Sequence, residues 1–265
     1  PMGRNWFFDL HEKAKHTEGW FTKVFKASDT NIIDQEELKA AKETMSAESY
    51  AQEFECSFQA GISGSYFGKI MEELEKKGNI KSFDIDEDLE VETWWDLGMN
   101  DSTVITFAQR HNDEIRIIDC YENSGEGLEH YLNVIDDKGY TYSKHIAPHD
   151  IRVREIGTNK SRWETAKELG LEFDIAPKLS IEDGIEQVRR MLPNCYFHKN
   201  NCKKLIEALK SYCKRWDEKN NCFRNKPLHN WASHFCDSVR YGAIVEPVQR
   251  TDWSKPIRVE TNYIV

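Results

Sequence analysis

The chain has 265 residues, of which 31% are charged and 39% are hydrophobic, and its 46 acidic residues outnumber its 36 Lys and Arg residues. Because affinity for a phosphate backbone comes from basic side chains, the net charge of −10 argues against nucleic acid as a partner. An aromatic content of 12% excludes wholesale disorder, and a mean hydropathy of −0.72, with no apolar run near the roughly 20 residues that cross a bilayer, excludes a membrane span.

The N-terminal third of the sequence carries helical patterns. Capping spacings and apolar stripes predict helices over residues 34–44, from Ser46 through Phe58, and over residues 66–77, where Gly78 ends the last one. The acidic run at residues 84–88 packs poorly and marks a boundary. Residues 1–88 are therefore expected to form a mainly helical segment that precedes a separate domain.

From Val91 to about Val245 the sequence alternates strand and helix patterns. Apolar and β-branched runs predict five strands, at residues 91–95, 103–107, 115–121, 144–147 and 173–176. Helical spacings predict helices at residues 126–138, 161–169, 180–192, 202–214 and 231–243. Three strands with short links are antiparallel neighbours, and a helical crossover then leads to parallel strands. The predicted fold class is α/β: a mixed sheet with helices on both faces over residues 89–245, resembling a ribonuclease H-like fold, with a tail at 246–265.

Aspartates stand where this topology would bring them together. Asp96 directly follows the first strand and Asp150 follows the fourth, so both fall at carboxyl ends of strands, where ligands bind open sheets. His234 and Asp237, three residues apart, share one face of the last helix. No cationic partner is evident in the pattern, so a divalent metal ion is expected to offset the repulsion between the carboxylates. Two such ions about 3.5 to 4 Å apart serve phosphodiester hydrolysis.

Other interpretations of these residues stay open. An aspartate after a strand is often only a turn residue, which applies to Asp96 and more strongly to Asp101. Asp119 is interpreted as a solvated strand residue. His149 and His229 are interpreted as structural or substrate-facing residues rather than as ligands.

The seven cysteines are an odd number without paired spacing, which favours a reducing compartment, and residues 1–6 lack the features of a signal peptide. Cys195, His198 and Cys202 offer zinc ligands. Their C-x-x-H-x-x-x-C spacing lacks a second tight pair, however, and a buried thiol at a helix start is an ordinary core residue.

Four segments together carry a resemblance that none of them would support alone. They are Trp95-Asp96-Leu97-Gly98 with Asp101 following, Ala147-Pro148-His149-Asp150, Gly184-Ile185 with Val188-Arg189, and His229 to Asp237 running into Val239-Arg240-Tyr241. In this order and spacing they resemble the C-terminal nuclease domain of the large subunit of tailed-bacteriophage terminase. The resemblance implies a metal-dependent endonuclease that cuts concatemeric double-stranded viral DNA during packaging. It places Asp96, Asp150 and Asp237 on the catalytic, metal-binding acidic triad, with Mg²⁺ or Mn²⁺ as cofactor, and His234 on an extra ligand position of some members.

Residues 1–5 and 50–54 resemble the end of the packaging ATPase in the same proteins, so residues 1–88 are interpreted as a remnant of that domain and its linker. Gly68-Lys69 is followed by Ile70, and no G-x-x-x-x-G-K-[ST] motif occurs, so no ATPase activity is expected from this chain alone. The chain would then be a fragment or a split gene product. The implied partners are the packaging ATPase domain, the small terminase subunit and the capsid portal, in the host cytoplasm.

Two alternatives to this function remain at this point. One is another ribonuclease H-like nuclease, of the resolvase or transposase type. The other is a non-catalytic module that docks on the portal.

The distribution of charge along the chain answers the objection that the negative net charge raised against nucleic acid as a partner. Residues 189–226 contain eleven basic and three acidic residues, with aromatic residues among them, and such a segment can follow a phosphate backbone. The alternative is a solvated helix face. The DNA-binding candidates are Arg152, Arg154, Lys160, Arg189, Arg190, Lys203, Lys204, Lys214 and Arg215.

Overall fold

The computed structural model of the chain describes residues 6–30, 32–45, 47–57, 64–98, 101–154, 159–217 and 222–245. The predictions placed on residues 1–5, Ser46, Phe58 and the tail at 246–265 lie outside these ranges.

Short helices form the N-terminal part, as predicted. They are α1 (Trp6–Lys15), α2 (Ala27–Thr30), α3 (Gln35–Thr44) and α4 (Ala47–Glu53). The Asp34 side chain caps α3 by accepting a hydrogen bond from the Glu36 amide at 2.9 Å. The buried side chains of Leu38 and Tyr50 join α3 to α4 in a small apolar cluster.

The core of the molecule is a seven-stranded mixed sheet. Its strands are β1 (Ile80–Lys81), β2 (Val91–Asp96), β3 (Ser102–His111), β4 (Glu114–Ser124), β5 (Tyr142–Ala147), β6 (Phe173–Ile175) and β7 (Cys195–His198), in the spatial order β1-β7-β4-β3-β2-β5-β6. Strands β2, β3 and β4 are antiparallel, β5 and β6 continue the sheet in parallel from β2, and β7 is parallel to β4. The predicted fold class is confirmed.

Helices cover both faces of the sheet. They are α5 (Gly68–Lys77), α6 (Leu128–Asp137), α7 (Arg162–Glu168), α8 (Ile181–Met191), α9 (Lys203–Ser211) and α10 (Trp231–Ile244). Successive side chains of a strand point to opposite faces, so the fully buried Trp94 packs with α5, α8, α9 and α10, and Trp95 packs with α6 and α7. β2 is thus held from both sides up to its last residue, Asp96. None of the described helices is long and apolar enough to cross a membrane.

Residues before the expected domain boundary also join this core. Phe67, Met71 and Leu74, on or next to α5, are buried in the cluster that contains Trp94. β1 pairs in parallel with β7, with Ile80 opposite Phe197. The division of the chain at residue 88 stays a prediction.

Three strand regions and two helix boundaries differ from the sequence-based expectation. The helix predicted from Ser46 through Phe58 ends at Glu53, and residues 54–57 are not helical. The helix predicted at residues 202–214 ends at Ser211, and the chain continues into a separate hairpin, β8 (Lys214–Asp217) with β9 (Cys222–Pro227). β1 and β7 were also not predicted. These strands are short or strongly polar, so hydrophobic alternation gives no signal, and their partners in the sheet or hairpin determine them.

The structure also decides two interpretations of single residues. The thiols of Cys195 and Cys202 each donate to a main-chain carbonyl at 3.4 Å, of Met191 and Ile117 respectively. Burial raises the pKa of Cys195 to about 12, which favours the protonated thiol, and among the described residues Cys195, His198 and Cys202 do not form a set of converging metal-ligand atoms. Asp119, expected to be solvated, is only 7% exposed and pairs with Lys138. It lies opposite Phe107, on the face of the sheet that α6 covers.

Candidate metal centre

The first two candidate aspartates lie at the same edge of the sheet. β2 and β5 are parallel neighbours, with Trp94 opposite Ile146, so both strands end at this edge. Asp96 is the last residue of β2, and Asp150 lies in a short 3-10 turn, His149–Arg152, directly after β5. Asp96 is largely buried, with 14% of its side chain exposed, whereas Asp150 is exposed.

Helix α10 brings the next two candidates to this edge. Asn230 caps the helix: its side chain accepts from the Ala232 amide and its own amide donates to the Ser233 hydroxyl, each at 3.0 Å. The cap fixes the start of the helix one turn before His234. His234 Nδ1 lies 2.9 Å from an Asp96 carboxylate oxygen, so α10 and β2 meet at the site through these two side chains.

Asp237 follows one turn later and has a cationic partner. The Arg240 guanidinium donates two hydrogen bonds to one Asp237 oxygen, at 3.1 and 3.0 Å. Gly184 of α8 leaves room for this arginine, since a Cβ atom there would lie 2.5 Å from the Arg240 side chain. The expectation that the carboxylates lack cationic partners is therefore wrong for two of them: His234 of α10 contacts Asp96 of β2, and Arg240 contacts Asp237 one turn away on α10.

Burial sets the electrostatics of the site. It raises the pKa of Asp96 to about 6; the hydrogen bond with His234 opposes this shift and the charge of Asp237 adds to it. Burial likewise raises the pKa of Asp237, against the effect of Arg240. The hydrogen bond with Asp96 raises the pKa of His234 to about 9, so the imidazole is protonated at neutral pH. The site is thus partly desolvated, and the charge of Asp237 disfavours the charged form of Asp96.

The charges of all three candidate aspartates act on one buried phenol, the side chain of Tyr241. Burial raises the pKa of Tyr241, on α10, Arg240 opposes this, and the charges of Asp96, Asp237 and Asp150 raise it further. Asp150 therefore lies within electrostatic range of the same group as Asp96 and Asp237.

A fifth side chain, Asp101, joins the site at the start of β3. Its carboxylate lies 2.9 Å from His234 Nε2 and 3.4 Å from His229 Nε2. Gly98 permits the close approach of Asp101, since a Cβ atom at residue 98 would lie 2.6 Å from the Asp101 carbonyl oxygen. His234 therefore bridges Asp96 and Asp101 through its two ring nitrogens.

The described residues contain one set of three His, Cys or carboxylate side chains whose ligand atoms all lie within 4.8 Å of one another: Asp101, His229 and His234. Asp96, Asp150 and Asp237 do not form such a set. Sequence reasoning assigned Asp101 to a turn and His229 to a structural or substrate-facing role. The available signal was the pair of histidines on either side of the α10 cap, close in sequence to Asp237.

Three basic candidates lie near Asp150. Arg152 is in the same 3-10 turn and stands 5.5 Å from the centre of the Trp163 ring. Arg154 and Lys160 are exposed and pair with carboxylates of α7 at 3.8 and 2.8 Å. This segment therefore places positive charge beside the carboxyl ends of β2 and β5.

The other basic candidates lie on α8, α9 and the hairpin, and they are Arg189, Arg190, Lys203, Lys204, Lys214 and Arg215. Arg189 pairs with Glu186 on its own helix, and Lys204 pairs with Glu122 near the end of β4. Lys204 also lies 5.4 Å over the ring of Phe235, on α10. Among these six, Lys204 is thus in contact with the helix that carries His234 and Asp237.

Comparisons with known proteins agree with this architecture. No family model matches the chain. The large terminase subunit of Escherichia phage T5 is 24% identical over 255 residues, which cover 91% of this chain and 56% of the relative. The large terminase of a thermophilic bacteriophage, solved in complex with ATP-γ-S, has a TM-score of 0.52 at 15% identity, covering 92% of this chain and 60% of that one.

A second structural comparison concerns the sheet domain. The nuclease domain of the P22 large terminase has a TM-score of 0.50 at 18% identity, covering 69% of this chain and 92% of that domain. The resemblance to terminase large subunits and the fold of their nuclease domains is confirmed. The chain spans 56% of the T5 subunit and 60% of the thermophilic phage terminase.

Proposed function

We propose that this chain is the nuclease part of a DNA-packaging terminase large subunit and cuts concatemeric double-stranded viral DNA with divalent metal ions. The observation that carries the proposal is the pair of partly buried carboxylates, Asp96 on β2 and Asp237 on α10. Burial raises the pKa of both, and the charge of Asp237 raises that of Asp96 further, at a sheet edge that also carries Asp150. The similarity to the T5 subunit and to the P22 nuclease domain supports the same function.

The donor chemistry fits Mg²⁺ or Mn²⁺. Asp96, Asp150 and Asp237 offer carboxylate oxygens, the ligands that hard divalent cations prefer, and His234 would add a ring nitrogen only on losing the proton that it carries at neutral pH. Burial makes the charge of Asp96 and Asp237 costly, and cations relieve that cost. Two bound ions would supply an activated water and stabilise the leaving oxygen of a phosphodiester.

The protein's own residues hold the parts of this site in place. His234 orients Asp96 through Nδ1, and Arg240 fixes the Asp237 carboxylate through its forked hydrogen bonds. Arg152 and Arg154 would bind phosphates next to Asp150. Contacts of this kind position a duplex and carry no sequence information, so cutting with weak sequence preference is expected.

The remaining basic candidates would extend the DNA path along α8, α9 and the hairpin, from Arg189 and Arg190 through Lys203 and Lys204 to Lys214 and Arg215. The proposed partners are the packaging ATPase domain, the small terminase subunit and the capsid portal. The ATPase domain would supply ATP hydrolysis, since no G-x-x-x-x-G-K-[ST] motif stands in this sequence. The host cytoplasm, where viral DNA is packaged, is the proposed location.

A plasmid-nicking assay tests the proposed nuclease. With Mn²⁺ or Mg²⁺, the purified chain should convert supercoiled DNA to nicked and linear forms. Asp96→Asn combined with Asp150→Asn should reduce the rate at least about a hundredfold, because the metal ligands are lost. Asp113→Asn is the matched control, since this exposed aspartate lies in the turn at the opposite end of β3. Activity that survives the double substitution would refute the assignment.

The same preparation separates the alternatives. Preferential cutting of four-way junctions or transposon ends over linear duplex would favour a resolvase or transposase type. Absence of both nicking and metal binding would favour a non-catalytic docking module.

A further inference from the structure

We propose that the first turn of α7, residues 161–164, is a clamp that fixes the spacing between Asp96 and Asp150. Arg162 and Trp163 are its positioning residues. This inference rests on the proposed function and extends it to side chains that offer no ligand to a metal ion. It is carried by contacts that lead from this one turn to the chain segments of both aspartates.

The first contact reaches the segment of Asp96. Arg162 Nη1 donates a hydrogen bond to the main-chain carbonyl of Leu97 at 2.7 Å, across 65 residues of sequence. Leu97 directly follows Asp96, so the peptide unit after this aspartate is tied to α7. A hydrogen bond from a charged donor is about twice as strong as one between neutral groups. It therefore restrains the main chain at the point where β2 ends.

Packing around Leu97 leaves space beside this hydrogen bond. A cavity of about 210 Å³ is lined by Leu97 and Gly98, directly after β2, and by Arg162 and Thr165 of α7. Side chains that border such a space lose the dispersion contacts that neighbouring atoms would provide. The hydrogen bond from Arg162, rather than close packing alone, therefore connects the segment after Asp96 to α7.

The same turn of α7 also contacts the segment of Asp150. Arg152 lies in the 3-10 turn that contains Asp150, and its guanidinium is 5.5 Å from the centre of the Trp163 ring, within the range of a cation–π contact. Two residues further on, Arg154 forms an isolated antiparallel bridge with Ser161. The chain that follows Asp150 is thus held by the residues on either side of Arg162.

Local hydrogen bonds and burial fix the turn itself. The Ser161 hydroxyl accepts from the Glu164 amide at 3.1 Å, and the Glu164 carboxylate accepts from the Ser161 amide at 2.8 Å, which forms a capping box. Ala166 is fully buried in the apolar cluster that also contains Trp95 and Ile151, the chain neighbours of the two aspartates. A rigid turn can hold two segments at a constant distance.

The distance between the aspartates matters for hydrolysis by two metal ions. The ions act about 3.5 to 4 Å apart, so their ligands need a defined spacing. Replacing residues that orient metal ligands from behind typically costs roughly 10- to 100-fold in metal affinity or activity. Releasing either segment from the clamp should therefore weaken metal binding and leave contacts with DNA phosphates elsewhere in place.

Mn²⁺ binding to the full chain tests the clamp without using activity. The chain is stripped of metal with EDTA, freed of the chelator and titrated with Mn²⁺, while free Mn²⁺ is measured by electron paramagnetic resonance. Arg162→Gln and Trp163→Leu should each raise the dissociation constant at least about tenfold. Arg162→Lys keeps a charged donor and should recover part of the affinity. Arg116→Gln is the matched control, because this arginine lies toward the opposite edge of the sheet.

Duplex affinity separates positioning from a direct contact with DNA. Fluorescence anisotropy of a labelled duplex in EDTA should give the same affinity for Arg162→Gln as for wild type. The thermal midpoint in EDTA verifies that each variant is folded, and nicking should approach the wild-type rate when Mn²⁺ is saturating. A variant that is only unstable would instead lose rate at every Mn²⁺ concentration.

The outcomes distinguish the clamp from the proposed nuclease. A Mn²⁺ affinity unchanged in both Arg162→Gln and Trp163→Leu, or weakened equally by Arg116→Gln, overturns the clamp and leaves the nuclease assignment standing. A weaker duplex affinity of Arg162→Gln at an unchanged Mn²⁺ affinity overturns it as well, since Arg162 would then be a DNA contact. Weakened Mn²⁺ binding in both variants of a chain whose wild type does not nick DNA would support the clamp and refute the nuclease.

Discussion

At the scale of single residues, Asp96 and Asp237, the two partly buried carboxylates of the candidate centre, each have a cation from α10 beside them. His234 contacts Asp96, and Arg240 contacts Asp237. Removing one partner of a buried ion pair leaves an uncompensated charge, which costs more than the pair itself contributes. These cations therefore stabilise the site in the absence of metal and compete with metal for the same oxygens.

Replacing Arg240 should expose this competition. Arg240→Met keeps the volume of the side chain but leaves Asp237 unpaired, so we expect a loss of about 3 kcal/mol in EDTA. Mn²⁺ should recover part of it, because an ion that binds only the folded state stabilises it by mass action. The measurement is the thermal midpoint with and without Mn²⁺. Arg116→Met, which removes a solvent-accessible pair with Glu114, is the control; an equal Mn²⁺ shift in both variants would contradict the prediction.

His145 of β5 should make the fold sensitive to acid. Burial lowers its pKa to about 4, although Asp174 and Asp136 oppose the shift, and its Nδ1 lies 2.7 Å from the Thr93 hydroxyl. A lowered folded pKa means that stability is complete above about pH 6.5 and is lost as the pH falls toward 4, by at most about 3 kcal/mol.

His145→Gln removes this titration. The difference in unfolding free energy between wild type and variant, measured by urea denaturation, should therefore shrink between pH 7 and pH 4. His111→Gln provides the comparison because that side chain is exposed. A difference independent of pH would contradict the role given to His145.

The positions of the three aspartates in the fold could be predicted from the sequence, whereas their partners could not; their role as metal ligands stays a prediction. Positions at strand ends and helix spacing depend on local patterns, so Asp96, Asp150 and Asp237 stood out. The contacts of Arg240 depend on the space left by Gly184, on another helix. Asp101 likewise reaches His234 only through the folded turn at Gly98. Such contacts arise from the assembled fold and leave no pattern along the chain.

At the scale of elements, the position of α10 depends on one close approach to β2. A Cβ atom on Gly242 would lie 2.0 Å from the Trp94 ring, which is fully buried. The Arg110 guanidinium also donates to the Gly242 carbonyl at 2.9 Å and to Glu92. The helix that carries His234 and Asp237 is thus set against the strand that carries Asp96.

Gly242→Ala should therefore destabilise the protein strongly. The ring has no free space to move into, so overpacking should cost about 3 kcal/mol. The thermal midpoint should fall by roughly 6 to 12 °C. Gly127→Ala, where an added Cβ meets nothing within 4 Å, should cost no more than about 1 kcal/mol at its helix-capping position. Equal losses in the two variants would show that the Trp94 contact does not position α10.

The strands that could be predicted have their own hydrophobic pattern. β2, β3, β4, β5 and β6 each contain apolar or β-branched runs, and they lie within a few residues of the expected positions. β1 has two residues and forms only because β7 lies beside it. The hairpin strand β8 consists of mostly charged residues, so no alternation distinguishes it from a solvated helix end. Pairing with residues far along the chain determines these elements.

At the scale of the whole molecule, positive charge is concentrated in particular regions of a chain that is negative overall. The total is −10, yet residues 189–226 have a surplus of basic residues, and Arg152 and Arg154 stand beside Asp150. Several of these cations already pair with carboxylates of the protein. DNA binding would then exchange internal ion pairs for phosphate contacts.

The salt dependence of DNA binding should report these contacts. In EDTA, Arg152→Gln combined with Arg154→Gln should weaken binding to a duplex and lower the slope of log affinity against log salt by about 2, since each phosphate contact contributes about 0.9. Fluorescence anisotropy of a labelled duplex measures both quantities. Lys76→Gln with Lys77→Gln, exposed at the end of α5, controls for net charge; an equal effect there would show a nonspecific response.

The order of the parts along the chain has a consequence during synthesis. A nascent polypeptide that has left the ribosome only as far as the hairpin contains Asp96 and Asp150 but neither His234 nor Asp237, which α10 supplies. The strand ends are made first, and the helix that completes their surroundings is made more than eighty residues after Asp150. An unfinished chain therefore lacks the groups that neutralise and orient Asp96, and the candidate centre can mature only after translation has passed α10.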